Sequence, residues 1–240
     1  MRTSLNPVRQ AERLYHDLLS PAEVLEVRDR VRKIAAAVVA PVAGRIAHGD
    51  ERVDGFPRDV FDSLATAGLS HAPFTAEVGG EGLANPITAT AVAIEELAYQ
   101  SSSVAVVFDV HCILAGNALT HGTVAQQRAW LRPVAEGSMV GAFATTEPDA
   151  SSDLSPKAVQ TVAERTADGW VLNGHKRWIS NSPAATFSVR PHRDSSDKLK
   201  GLRPAGRRQP ALAVPDGGTG HGDRERTHAV PEGCATSRRR

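Results

Sequence analysis

The amino-acid sequence predicts an α+β fold: an all-α helical bundle domain followed by an incomplete, barrel-like antiparallel β domain. Between residues 20 and 137, apolar residues recur at spacings of three and four and are bracketed by helix-start and helix-stop residues. After Gly137 the spacing falls to two, and Val, Thr, Phe and Trp become frequent, as in strands. The predicted divisions are an N-terminal extension (1–19), the helical domain (20–137), the β domain (138–187) and a tail (188–240).

Helix caps delimit the first part of the helical domain. The first helix would begin at Ser20, with a capping box completed by Glu23, and would end before Pro41. A second would run over residues 57–67, with Gly68 at its C-terminus. Their apolar faces would comprise Val24, Val27, Val31, Ile34 and Val38 in the first helix and Val60, Phe61 and Leu64 in the second.

Three further helices are predicted. One would start at Asn85, with Pro86 in its first turn. The run over residues 101–122 is apolar on nearly all sides, which is typical of a helix at the centre of a bundle. Thr123 and Gln126 form a capping box that opens a last short helix. The helix after Asn85 would bury Ile87, Ala91, Ile94 and Ala98.

Short segments with a period of two follow Gly137. They cover residues 139–146, 158–166, 169–174 and 175–180. The dipeptides Asp168-Gly169 and Asn173-Gly174 suit type I′ turns, because these residues accept positive φ. An antiparallel sheet is therefore expected, in which Trp178 and Ser180 share one face of the last strand.

Charge is distributed unevenly along the chain. The formal net charge is +1, from 28 Lys+Arg and 27 Asp+Glu, which argues against a dedicated nucleic-acid or anionic-membrane binder. Residues 188–240 hold 12 Lys+Arg against 6 Asp+Glu, and include ten Arg, seven Gly and five Pro but no Phe, Trp, Tyr or Ile. Such a segment cannot bury enough apolar area to form a core, so it is expected to be disordered.

Cysteines, histidines and apolar runs exclude other classes. Cys112 and Cys234 lie too far apart in the sequence to predict a disulfide framework or a metal cluster. The first 19 residues contain no apolar signal-peptide core, and no run of about 20 residues is apolar and uncharged enough to span a membrane. A cytoplasmic location is expected. The histidines show no metal-ligand spacing and are expected at the surface or at helix ends, among them His48, His71, His111, His121 and His175.

Two segments carry groups that could bind a ligand. The first, GAFATTEPDASSDL at residues 141–154, would present hydroxyls and backbone N–H groups to a planar heterocycle or a phosphate. The second, NGHKRWISN at residues 173–181, would place an indole beside an aromatic ring and a hydroxyl two residues later. Taken singly, the first also suits a Ser-capped or Asp-capped turn, and the second a core tryptophan.

Together and in this order, these segments resemble the acyl-CoA dehydrogenase family. The similar pieces are LATAGL…VGGEGL, AIEELAYQSSSVAVVFDVH, GAFATTEPDASSDL and DGWVLNGHKRWISN, all within residues 20–187. The resemblance implies a FAD-dependent oxidoreductase of fatty acid metabolism that removes a proton from Cα and a hydride from Cβ of an acyl thioester, such as an acyl-CoA. It also implies an acceptor of the electron-transfer flavoprotein type and a homo-oligomer, either a tetramer or a dimer.

The resemblance also implies cofactor contacts in the first segment. On the matching positions, Phe143, Thr145 and Thr146 would line the flavin ring, and Thr146 would bond its polar edge. Ser152 would contact the flavin or the thioester.

Further contacts are implied for the second segment and the central helix. Trp178 would pack beside the isoalloxazine, Ile179 would lie along it, and Ser180 would offer its hydroxyl to N5, the hydride acceptor. Val104 and Phe108 would help to line the acyl tunnel. Hydride transfer is the cofactor's own chemistry, so the protein must orient the substrate and tune the ring by hydrogen bonds.

The sequence departs from the family pattern in three places. Asp149 and Ser151 stand where the family usually has glycines, and Ser180 stands where threonine is usual. After about residue 187 the remaining strands and the four-helix domain of the family are not recognisable, and neither Glu225 nor Glu232 lies on a predicted helix. No catalytic base is therefore assigned, and the chain is expected to be truncated and of doubtful activity.

Alternatives stay open. The chain could be a non-catalytic interaction protein with a basic tail, or a remnant whose sequence after codon 188 results from a change of reading frame. It could also be an enzyme with a different substrate, acting on a carrier-protein thioester or performing flavin monooxygenation.

Overall fold

Helices and two three-stranded sheets form the described part of the chain. The computed structural model describes residues 19–50, 55–153, 155, 157–166, 169–190, 192–194 and 211–213. The helices are α1 Ala22–Ile34, α2 Ala43–His48, α3 Arg58–Thr66, α4 Pro86–Gln100, α5 Ser102–Asp109, α6 Asn117–Thr120, α7 Val124–Gln126 and α8 Arg132–Ala135. The strands are β1 Gly141–Phe143, β2 Val162–Thr166, β3 Gly169–Asn173, β4 Phe187–Arg190, β5 Arg193–Asp194 and β6 Ala211–Ala213. The predicted mixture of a helical part and a sheet part is confirmed.

The first helix continues past its predicted end. After α1 the chain passes through a π-helical stretch, Ala35–Val39, and a 3₁₀ turn, Ala40–Val42, directly into α2. Pro41 occupies the first turn of the 3₁₀ segment. Proline has no backbone N–H, and it is tolerated in a first turn because the N–H groups there have no partner within the helix. The predicted end before Pro41 is therefore wrong, whereas Val24, Val27 and Val31 are buried as predicted.

Glu23 acts on a different helix from the one predicted. Pro21 is the N-cap residue of α1, and no side chain caps this end, so the predicted capping box is absent there. Glu23 instead accepts hydrogen bonds from the backbone N–H of Ala84 at 3.2 Å and from the backbone N–H of Asn85 at 2.7 Å. Its carboxylate thereby caps the N-terminus of α4. The capping box of Thr123 and Gln126 is confirmed.

Helix α4 buries a different face from the predicted one. Ile87 is exposed, and the buried set contains two polar residues, Thr90 and Glu96. The Glu96 carboxylate receives hydrogen bonds from Arg32 of α1 at 2.6 and 3.1 Å, which compensates for its burial. Because the partner lies 64 residues away, the apolar pattern of α4 alone could not indicate this face. The buried residues are Ala89, Thr90, Ala93, Glu96 and Leu97.

The helix over Ser102–Thr120 lies in the core. It comprises α5, a π-helical stretch Val110–Gly116 and α6, and it contacts both α4 and β1. By length and composition this helix could cross a membrane, contrary to the expectation that no segment would. Core helices meet the same criterion, and this one contributes Val104, Ala105, Phe108 and Cys112 to the main apolar cluster. Its predicted central position is confirmed.

The sheets are mixed, not purely antiparallel. In the first sheet β4 lies between β1, to which it is parallel, and β6, to which it is antiparallel. In the second, β2 is antiparallel to β3 and parallel to β5. Residues 175–180, predicted as a strand, are irregular. Strand β4 crosses the boundary predicted at residue 187, so residues 188–190 form a strand instead of a disordered tail; most of the remaining tail lies outside the described residues.

Candidate functional site

The two segments singled out by the sequence meet in the structure. The chain leaves β1 through Thr145 and Thr146, both of which are half-buried. The backbone N–H of Arg177 donates to the Thr146 carbonyl at 2.9 Å, and Lys176 Nζ donates to the Thr145 carbonyl at 3.2 Å. Residues 174–181, here called the tryptophan loop, therefore lie against the end of β1.

The tryptophan loop has an unusual backbone conformation. Trp178 has a φ of 57° and Asn181 has a φ of 67°. Residues other than glycine rarely adopt this left-handed region. These angles break the two-residue alternation of a strand. The prediction that Trp178 and Ser180 share one face of a strand is therefore wrong. The Trp178 side chain is 88% exposed, Ser180 is exposed and Ile179 is half-buried.

Asn181 fixes the C-terminal end of this loop. Its Nδ2 donates to the Val107 carbonyl in the central helix at 3.0 Å and to the Gly141 carbonyl in β1 at 3.1 Å. Its Oδ1 is buried and accepts no hydrogen bond from the residues that the structure describes. A single side chain thus joins the central helix, β1 and the tryptophan loop.

A buried ion pair fixes the N-terminal end of the loop. Lys176 Nζ lies 2.8 Å from Glu147 Oε1, and the two side chains are 7% and 1% exposed. Glu147 also accepts hydrogen bonds from the hydroxyl and the backbone N–H of Thr161 and from the backbone N–H of Gln160. The pair therefore connects the chain after β1, the residues before β2 and the tryptophan loop.

The ionisation of this pair follows from its surroundings. Burial acts to raise the pKa of Glu147, but the hydrogen bonds from Lys176, Thr161 and the backbone outweigh it, and the pKa lies below its ordinary value. Burial lowers the pKa of Lys176, and the bond to Glu147 opposes this effect. Each group therefore favours the charged form of the other.

His111 joins the central helix to the start of β1. Its Nδ1 accepts the backbone N–H of Gly141 at 3.2 Å, so the ring proton lies on Nε2, which donates to the Val134 carbonyl at 3.0 Å. The ring is fully buried, with Phe61 packed edge-on 5.0 Å away. Burial lowers the pKa of His111 to about 4. Its predicted position at the surface or at a helix end is therefore wrong.

The remaining predicted site residues differ in their burial and surroundings. Phe143 is half-buried and packs against the cluster that contains Phe187 and Leu131. Ser152 is exposed. Val104 and Phe108 are buried in the main apolar cluster of the helical core. The structure thus brings together Thr145, Thr146 and the tryptophan loop. The ligand-binding roles of all the predicted site residues stay predictions.

Sequence reasoning missed four polar residues at this junction. These are His111, Glu147, Lys176 and Asn181. One available signal was an ionisable side chain between two apolar neighbours, as for His111 between Val110 and Cys112. Among the residues that the structure describes, no group of three or more His, Cys, Asp or Glu is placed to hold a metal ion.

Comparison with known families matches two successive parts of the chain. Residues 21–138 match the N-terminal domain of acyl-CoA dehydrogenases, and residues 142–231 match their middle domain. The second match includes most of the segment predicted as a basic tail.

Individual relatives are similar over about three quarters of the chain. The short-chain specific acyl-CoA dehydrogenase of Clostridium acetobutylicum is 33% identical over 178 residues, which are 73% of this chain and 45% of that protein. The structure of glutaryl-CoA dehydrogenase from Mycobacterium smegmatis is 30% identical with a TM-score of 0.65, over 75% of this chain and 44% of that one. A chain from the structure of the electron transferring flavoprotein of Acidaminococcus fermentans is 27% identical with a TM-score of 0.66, over 75% and 45%. This chain therefore spans less than half the length of the relatives it matches.

Proposed function

Because the chain belongs to the acyl-CoA dehydrogenase family, we propose that it forms part of the flavin site of a FAD-dependent oxidoreductase acting on an acyl thioester. The observation that carries the proposal is the contact between Thr146 and the tryptophan loop, through the hydrogen bond donated by Arg177. When bound, FAD supplies the hydride acceptor for the carbon chain of the substrate. The α,β-dehydrogenation itself is proposed for the protein that contains this chain.

The residues at the junction fit an isoalloxazine ring. Such a ring is flat and largely apolar, with hydrogen-bonding atoms along one edge. Trp178 offers an exposed indole for stacking. The half-buried Thr145 and Thr146 carry hydroxyls in the segment whose carbonyls accept hydrogen bonds from the tryptophan loop. Thr146 would bond the polar edge and Ser180 would hold N5 with its hydroxyl, while Trp178 excludes water from one side of the ring.

Other residues are proposed to contact the ligands more peripherally. Phe143 and Ile179 would contribute apolar contact to the flavin, and Ser152 would bind the flavin or the thioester. Val104 and Phe108 would shape the acyl tunnel from within the helical core, by setting the position of the central helix. We assign no catalytic base among the described residues.

Substrate, acceptor, assembly and location are also proposals. The relative named as short-chain specific acyl-CoA dehydrogenase supports an acyl-CoA as the thioester. The match to an electron transferring flavoprotein structure supports an acceptor of that type. A homo-oligomer in the cytoplasm completes the proposal. A carrier-protein thioester, flavin monooxygenation and a frame-shifted remnant of doubtful activity stay alternatives.

The experiment is a titration of the purified chain with FAD. Binding is monitored by the quenching of flavin fluorescence and by changes in the visible spectrum. We expect saturable binding that weakens about tenfold in Trp178→Ala, since stacking of this kind contributes about 1 to 1.5 kcal/mol. Trp130→Phe is the matched control, because Trp130 packs against Phe187 in the core and should leave the affinity unchanged. Absence of binding at saturating FAD, or equal affinity in Trp178→Ala, would contradict the proposal.

A further inference from the structure

The ion pair between Glu147 and Lys176 is buried on both sides. The other ion pairs found among the described residues are more exposed; the pair between Arg32 and Glu96, for example, has side chains that are 27% and 6% exposed. Moving two charges out of water is costly, and a well-packed apolar pair at such a place is often as stable or more so. Stability alone therefore does not account for this pair.

The hydrogen bonds of the pair are directed at the site. Glu147 accepts from Thr161 and Gln160, which fixes the carboxylate relative to β2. Lys176 donates both to this carboxylate and to the carbonyl of Thr145. The ammonium group therefore ties the start of the tryptophan loop to the backbone that carries the two threonines.

Trp178 itself is held neither by burial nor by backbone preference. Its side chain is 88% exposed and its φ is 57°. A tryptophan with positive φ is strained, and such a conformation persists only where the neighbouring structure imposes it. The contacts that impose it lie on both sides: those of Lys176 and Arg177 before it, and those of Asn181 after it.

We propose that Glu147 and Lys176 are positioning residues, whose buried ion pair holds the tryptophan loop in the strained form that presents the Trp178 indole to the flavin. This inference rests on the proposed function for its last element, the flavin. The contacts that hold the loop are made by protein groups. Loss of either charge should therefore release Trp178 even in the cofactor-free chain, and should weaken FAD binding as a consequence.

The test uses the chain labelled with 5-fluorotryptophan. The sequence contains three tryptophans, so three ¹⁹F signals are expected, and the signal lost in Trp178→Phe identifies Trp178. In Lys176→Met and in Glu147→Gln, without cofactor, we expect the Trp178 signal to shift and narrow while that of Trp130 stays in place. The FAD dissociation constant should rise about tenfold in the same variants.

A matched control separates positioning from general stability. Glu96→Gln weakens a mostly buried ion pair between α1 and α4, in the helical part of the chain. It should lower the unfolding midpoint without moving the Trp178 signal or the FAD affinity. If the single variants at the proposed pair do not fold, the double variant Glu147→Gln, Lys176→Met leaves no unpaired buried charge and should still release Trp178.

Two results would overturn the inference. One is a Trp178 signal that stays unchanged in the single or double variants. The other is a shift of all three tryptophan signals together, as global loosening would give. If the parent chain binds no FAD but the variants release Trp178 alone, the proposed function fails and the positioning role stands.

Discussion

Acidification tests the buried position of His111 directly. The neutral ring accepts a hydrogen bond from Gly141 and donates one to Val134, so a second ring proton would displace the Gly141 contact and place a charge among apolar groups. Burial lowers the pKa of this histidine from 6.5 to about 4 in the folded chain. The unfolded chain therefore takes up a proton at a higher pH than the folded chain, and the free energy of unfolding must fall as pH decreases below 6.5.

The size of the effect follows from these two values. Across the whole interval from 6.5 to about 4, a difference of this size corresponds to about 3 kcal/mol of lost stability. Between pH 7 and pH 5 the loss from this group alone is about 2 kcal/mol. Below pH 5 the carboxylates begin to contribute as well, because the pKa of Glu147 lies below its ordinary value and its protonation also opposes folding.

The assay is urea unfolding at a series of pH values from 7.5 to 5, on the parent chain and on His111→Gln. A glutamine can accept from the Gly141 N–H and donate to the Val134 carbonyl, yet it does not titrate. We expect the parent chain to lose about 2 kcal/mol more than the variant over this interval. Equal pH dependence in the two proteins would refute the reasoning, and would mean that His111 is protonated in the folded state or accessible to water.

Two further predictions concern packing. Gly80→Ala places a Cβ 2.1 Å from a backbone carbonyl oxygen and should lower the free energy of unfolding by about 3 kcal/mol. Gly44→Ala, in helix α2, places a Cβ with no atom within 4 Å and should raise this free energy by about 0.5 kcal/mol. Urea unfolding measures both changes, and equal effects would contradict the loop geometry. Cys112 is buried, and burial raises the pKa of its thiol. In a Cys234→Ser background, a thiol reagent should therefore modify Cys112 only when the chain unfolds. Fast labelling of the native chain would contradict the buried position of Cys112.

Local signals in the sequence predicted local structure well. The box of Thr123 and Gln126 requires only residues three apart, and the structure contains both of its hydrogen bonds. Gly68 was predicted to follow α3, and its φ of 76° is the conformation that glycine adopts there. The buried valines of α1 follow from the helical period alone. Each of these features depends on one element and on no distant partner.

Distant polar partners account for most of what the sequence did not predict. Glu96 is buried because Arg32 reaches it from α1, and this determines which face of α4 packs inward. Glu147 and Lys176 lie 29 residues apart, and neither residue suggests burial by itself. The strand predicted over residues 175–180 fails for a related reason: side-chain contacts hold the loop at both ends, and the local sequence does not show them.

Positive φ lies in the tryptophan loop and not at the two positions where the family usually has glycines. Asp149 and Ser151 occupy these positions, and they would be strained there if the backbone had positive φ. Outside glycine, however, positive φ occurs among the described residues only at Trp178 and Asn181. The loop after β1 therefore accommodates Asp149 and Ser151 without positive φ. The strain lies in the tryptophan loop, beside the buried ion pair that holds it.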